Sequence, residues 1–219
     1  MMENRENYFA MNRPGLLPRE KLFGLAMAGT SGAAVLAHVF TPLTMTYSVP
    51  FIVMPATVIL LGLILVRRRL YRQLHVVADL LILGALAGFA ATIGYDVIRP
   101  ILRYIFDFSF NPFKAMPIFG SLMTGLPPTH PASIALGWVY HFWNGISFGM
   151  MFALVRPRGG ALVGLLWGLG LHALMLWSYP RLLQVRLDDP GFLVTGCIGH
   201  AVWGVMLGLS IKKWGGKYA

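Results

Sequence analysis

Charge is what this sequence has least of. Only 12% of its 219 residues are Asp, Glu, Lys or Arg, and just 8 are acidic, about half the charged share of an ordinary soluble domain. A surface wetted by water on every side is thereby excluded. Cysteine is nearly missing too: Cys197 stands alone, so no internal disulfide forms and the redox compartment is left open. No Asn-x-Ser/Thr acceptor occurs, which fits a bacterial source. A nucleotide-binding glycine loop and a His-Glu-x-x-His pair are both lacking. Ordinary catalysis by nucleophile and base has no constellation here, so an enzyme is the less favoured reading.

What the chain does have is apolar length. It is 57% hydrophobic, with a mean hydropathy of +0.66. A spanning helix needs roughly 20 mostly apolar residues, because each rises about 1.5 Å through a core about 30 Å thick. Six runs qualify, near 22–42, 50–66, 76–98, 132–155, 160–179 and 191–211. The expected fold is therefore an all-α polytopic membrane helix bundle, with a polar tail over 1–21 and a basic tail over 212–219. The N-terminal run exceeds a signal-peptide core, so it is read as retained. Prolines at 50 and 55 predict an irregular start to the second span.

The net charge of +10 does not point to nucleic acid, because the basic residues flank apolar runs. Arg5, Arg13, Arg19 and Lys21 precede the first run, and Arg67, Arg68, Arg69 and Arg72 follow the second. With Arg156, Arg158, Lys212, Lys213 and Lys217, thirteen of the 18 basic residues fall on one side. That side is cytoplasmic by the positive-inside rule, giving both termini inside and a location in the cell's inner membrane. Arg99, Arg103, Lys114, Arg181 and Arg186 are left for the outside. The outer connection 104–131 carries Tyr104, Phe106, Phe108, Phe110, Phe113 and Phe119. Such a segment is expected in the outer interface or docked on a partner. Charges in the 180–190 loop read as solvated.

Residues four apart share a helix face. In the third span that spacing gives Gly84, Gly88, Thr92 and Asp96, and in the fifth Gly160, Gly164, Gly168 and His172. The fourth gives Gly137, His141, Gly145 and Gly149, and the sixth Gly196, His200, Gly204 and Gly208. Spans 3–4 and 5–6 thus read as two copies of one helical hairpin. A fainter echo, Ala26, Thr30, Ala34 and His38, marks the first span. The glycines serve close packing of helices in lipid. Small residues do not account for the ionisable group on each ridge.

Counted from the span ends, His141, His172 and His200 share a depth roughly 10–14 Å below the outer boundary. Each histidine alone suits a neutral interhelical hydrogen bond. Together with Asp96 and His38 they form a candidate intramembrane polar layer, since such groups are expensive in lipid and often functional. Three imidazoles at one depth suit a transition metal such as zinc, copper or iron, and two on facing helices suit haem. The alternative use of such a layer is proton or cation passage. Arg99, three residues after Asp96, is expected to pair with it. Asp79 reads as a helix N-terminal charge only. His75 and His130 read as solvated span edges, and Cys197 as packing.

The runs GALAGFAATIGYD, GWVYHFWNGISFG and GALVGLLWGLG, between Gly84 and Gly168, resemble small glycine-rich bacterial inner-membrane families of unknown function, the YagU-like proteins and their relatives. The resemblance covers about a third of the chain and implies no activity. Three functions follow as expectations. First comes a non-catalytic subunit of a larger respiratory, photosynthetic or oxygenase-like membrane assembly, with the lipid bilayer and other membrane subunits as partners. The others are a small proton or metal-cation transporter, and an intramembrane metal or haem protein.

Overall fold

The computed structural model describes residues 18–183 and 186–215. Every regular element among them is helical: α1 Pro18–Phe40, α2 Met45–Leu65, α3 Arg72–Ile105, α4 Ala115–Thr124, α5 Pro131–Val155, α6 Ala161–Leu183 and α7 Pro190–Gly215. Five of these, α1, α2, α3, α6 and α7, are long and apolar enough to cross a membrane. At 25 residues α5 is long enough as well, but His141, Asn144 and two tryptophans in its middle lower its apolar character. The tails expected at 1–21 and 212–219 lie mostly outside the described residues, and 18–21 and 212–215 are helical.

Several boundaries move outward from their sequence estimates, for local reasons. α2 starts at Met45, before Pro50, because a π-helical stretch over Val49–Val53 absorbs the proline's missing N–H. α3 runs on past 98 to Ile105 through Pro100, which draws Arg99 and Arg103 into the helix. Pro100 cannot donate to the carbonyl of Asp96, so the ladder is interrupted beside that residue.

α3 is the spine. It packs along α5 on one side and along α7 on another, while α6 packs along α7 and touches α1 only lightly. The predicted ridges meet in pairs. A side chain at Gly84 or Gly88 would strike the α5 backbone at Gly149 or Gly145, and one at Gly149 would strike Gly84 and Gly88 in return. Gly164 and Gly168 face Gly204, Gly208 and the carbonyl of His200 in the same manner. Two ridge glycines behave otherwise. Gly137 abuts Met116 of α4 rather than another long helix, and Gly160 precedes α6, with φ 120° and its N–H donating to the Gly208 carbonyl at 2.8 Å.

One end of the bundle gathers the basic residues. Gly24 of α1 lies beside Val77 and Leu154, Gly159 beside Lys212, and Gly215 beside Pro157. The start of α1, the turn at Arg67–Arg69, the turn at 156–159 and the end of α7 therefore share this end. Asp79 is paired there with Arg67 at 3.5 Å and His75 at 3.4 Å, so it does more than mark a helix start. The opposite end is closed by the segment after α3. Its short helix α4 docks on α5, with Gly120 against Ser133, and buries Met116 and Phe119. Expected either at an interface or on a partner, this segment is in good part packed on its own bundle. Tyr104, Ile105 and Phe106 remain outward, with Tyr104 88% exposed.

Candidate functional site

The polar residues of the third and fourth ridges meet near the end opposite the basic cluster. Asp96 lies on α3 one turn above Thr92, and His141 lies on α5 one turn from Gly145. Because Gly88 lets α5 approach the α3 backbone, the imidazole reaches the carboxylate. His141 Nε2 is 2.9 Å from one oxygen of Asp96 and 3.0 Å from the other. An ionised carboxylate only accepts, so the ring N–H donates. Arg99, the partner expected from spacing, is further away: its Nη1 donates to Asp96 at 3.5 Å. Its guanidinium instead lies over the Tyr95 ring at 4.3 Å, with Phe113 at 5.3 Å. Arg99 is only 5% exposed.

Tyr95 organises the rest of the layer. Its ring packs edge-on against His200 at 4.9 Å and stands 6.0 Å from His141. His200 Nδ1–H donates to the Gly196 carbonyl of its own helix at 2.8 Å, and its ring lies 5.2 Å from that of His172. His172 Nδ1 is buried without a partner. One turn below, Trp203 Nε1–H donates to Thr92 Oγ1 at 3.2 Å, and Thr92 passes its own proton to the Gly88 carbonyl at 2.8 Å.

The three predicted histidines therefore do not form a ligand set. His172 and His200 are neighbours, but Tyr95 packs against both His200 and His141, and His141 is committed to Asp96. Among the described residues no group of three or more His, Cys, Asp or Glu side chains is placed to hold a metal ion. His200 also spends one ring nitrogen on a carbonyl, as a packed histidine does. His38, half-buried in the last turn of α1, takes no part in the layer. Cys197 is exposed on α7. In the 180–190 loop Arg186 pairs with Asp188 at 2.6 Å in the open, holding that carboxyl below its ordinary range. Asp189 caps α7 by accepting from Gly191 and Phe192.

What the sequence did not announce is a cavity. A space of about 410 Å³ opens between α1 and α5 on one side and α6 and α7 on the other, roofed by residues 110–119. Its walls are mostly apolar: Gly29, Gly32, Phe148 and Met151 toward the basic end, with Trp167 and Trp203, and Phe110, Met116 and Phe119 under the roof. Between these apolar zones Tyr95, Arg99, His141, Asn144 and His200 reach its surface. Asp96 does not line it. The Asn144 carboxamide oxygen is buried with no partner. A volume of this size, apolar with a few convergent polar groups, is the ordinary form of a small-molecule site. Sequence periodicity carries no signal for it, since a void is set by how far helices from distant segments stand apart.

No family model, curated protein or solved structure matches this chain.

Proposed function

We propose that this protein is a multi-pass membrane protein whose work is to bind a small molecule inside the bilayer. The observation that carries this reading is the cavity of about 410 Å³ with a buried arginine on its wall. An arginine near membrane depth is costly and is kept where it serves a ligand, a partner charge or a pathway. Here the nearest carboxylate is engaged mainly by His141, which leaves Arg99 for the cavity. Six spans follow if α5 crosses with the five more apolar helices. The charge count then sets the basic end inside, both termini inside, and the roof over the cavity outside. This orientation suits the inner membrane of a bacterium. The pairing of α3 with α5 and of α6 with α7, each through facing glycines, supports the reading of two related hairpins. Like the resemblance to YagU-like families, it speaks to packing and not to chemistry.

Binding rather than transport is favoured because the cavity wall toward the basic end is apolar among the described residues, with Gly29, Gly32, Phe148 and Met151 lining it. The test is ligand retention: the purified protein, extracted with organic solvent and analysed by mass spectrometry, is expected to release a stoichiometric small molecule. A variant with the cavity filled, Leu174→Trp, should release none. Equal recovery from both would sink the reading.

A second reading keeps the chain as a subunit of a larger membrane assembly. Tyr104, Ile105 and Phe106 favour it, as an apolar cluster facing outward at the end of α3. Solubilisation in a mild detergent followed by native electrophoresis tests it, and a band at monomer mass only would dismiss it.

A further inference from the structure

Resting on the ligand-binding reading above, we propose that the occupant is a single-chain amphiphile with an anionic head, a long-chain carboxylate in chemical class. Arg99 holds the head, and the chain lies toward Gly29, Gly32 and Met151.

The distribution of charge around the cavity selects the head. Arg99 and His141 line it while Asp96 stands behind them, and no Asp or Glu is among the described residues of its wall. A cationic ligand meets only a like charge. A neutral hydrocarbon leaves the N–H groups of a buried guanidinium without acceptors, which is expensive. A carboxylate satisfies them with charge-assisted hydrogen bonds and fits the planar fork of arginine. The fork is also held for this purpose. Tyr95 supports its face at 4.3 Å, and its contact to Asp96 is a single one at 3.5 Å. Asp96, doubly contacted by His141, lowers the cost of the buried cation without occupying its donors.

The tail follows from the rest of the wall. From His141 to Met151 the cavity follows ten residues of α5, about 15 Å of helix. Beyond the polar layer that stretch meets Phe148, Trp167 and Trp203 and no charged residue. One acyl chain suits a space of about 410 Å³. A two-chain phospholipid needs more room.

Trp167 and Trp203 on the wall provide the measurement. Dodecanoate brominated on its chain quenches tryptophan by contact. It is titrated into the protein in nanodiscs of zwitterionic lipid, beside brominated dodecanol and brominated dodecylamine. The expected result is saturable quenching by the carboxylate, lost in a Trp167→Phe/Trp203→Phe variant. The alcohol and the amine should bind at least roughly 10-fold more weakly. Arg99→Gln should weaken the carboxylate roughly 10- to 100-fold while leaving the alcohol unchanged, which also shows that the cavity of the variant is intact. Arg99→Lys, with charge but no fork, should fall between. Equal binding of alcohol and carboxylate, or an unaltered Arg99→Gln, would overturn the anionic head and leave the cavity reading standing. Loss of the carboxylate signal on adding phosphatidylglycerol to the nanodiscs would assign the site to bilayer phospholipid and overturn the single chain. Absence of quenching by all three probes would overturn the cavity reading itself.

Discussion

His141 on α5 donates its Nε2 proton between the two oxygens of Asp96 on α3, at 2.9 and 3.0 Å. The two residues are 45 positions apart, and each is no more than about one-sixth exposed. The pair ties α3 and α5 together at the level of the cavity. It also turns the carboxylate away from the ligand space and leaves Arg99 at the front.

Removing either member should therefore be felt in stability as well as binding. Asp96→Asn and His141→Ala are each expected to lower the thermal midpoint. Their double variant should lose less than the sum, with a coupling of about 1 kcal/mol or more. A double-mutant cycle in detergent, read by loss of the monodisperse peak after heating, measures this. Strict additivity would mean that the pair is incidental.

The glycine contacts predict a sharp split among residues of one type. Gly88→Val and Gly164→Val should unfold or strongly destabilise the bundle, since each new side chain would strike backbone of the facing helix. Gly62→Ala and Gly170→Ala meet nothing within 4 Å, and in a helix interior alanine is favoured by about 0.5–1 kcal/mol. Those two are expected to raise the midpoint slightly. Thermal scans of the four variants decide it.

Orientation has its own test. In a Cys197→Ala background, Tyr104→Cys should react with a membrane-impermeant maleimide on intact cells. Lys213→Cys should react only after permeabilisation. The reverse pattern would invert the charge-based topology.

Cavity volume should control binding independently of charge. Leu174→Trp places an indole in the ligand space and is expected to abolish the brominated dodecanoate signal while keeping the monomer peak. Ser178→Ala, also on the wall, removes one hydroxyl already bonded to the Leu174 carbonyl at 2.8 Å, and should bind as before. Equal loss in both would indicate damage to α6 rather than occlusion.

Much of the helical framework was legible because apolar length and four-residue spacing are local properties. The ridges of Gly84 and Gly88, and of Gly164 and Gly168, could be read from spacing alone. The choice of partner could not. Spacing along α3 nominated Arg99 for Asp96, but the shorter contact comes from another helix, brought close by glycines on both sides. Equal depth likewise groups His141 with His172 and His200, though depth says nothing of azimuth, and His141 turns to Asp96 instead. α4 has no signature in sequence, because its 10 residues, Ala115–Thr124, are too few to span and too apolar for an ordinary loop. Its anchor, Gly137, shares the four-residue spacing of the α5 packing ridge and so looks no different in sequence. The cavity itself is a mismatch between distant segments, for which no single stretch of sequence has a signature.

α6 is fastened along one neighbour, α7, and meets α1 only lightly. Across that seam lies the stacked pair of Phe40 and Trp177, with ring centroids 4.2 Å apart. Trp177 is 64% exposed on the outer surface of the bundle, where lipid would lie. That seam is the lightly packed side of the bundle, whereas at the roof α4 is seated on α5. A ligand entering by that seam would arrive from the hydrocarbon. Its loading rate would follow its mole fraction in the membrane rather than its concentration in water, and the protein would sample the bilayer as its reservoir.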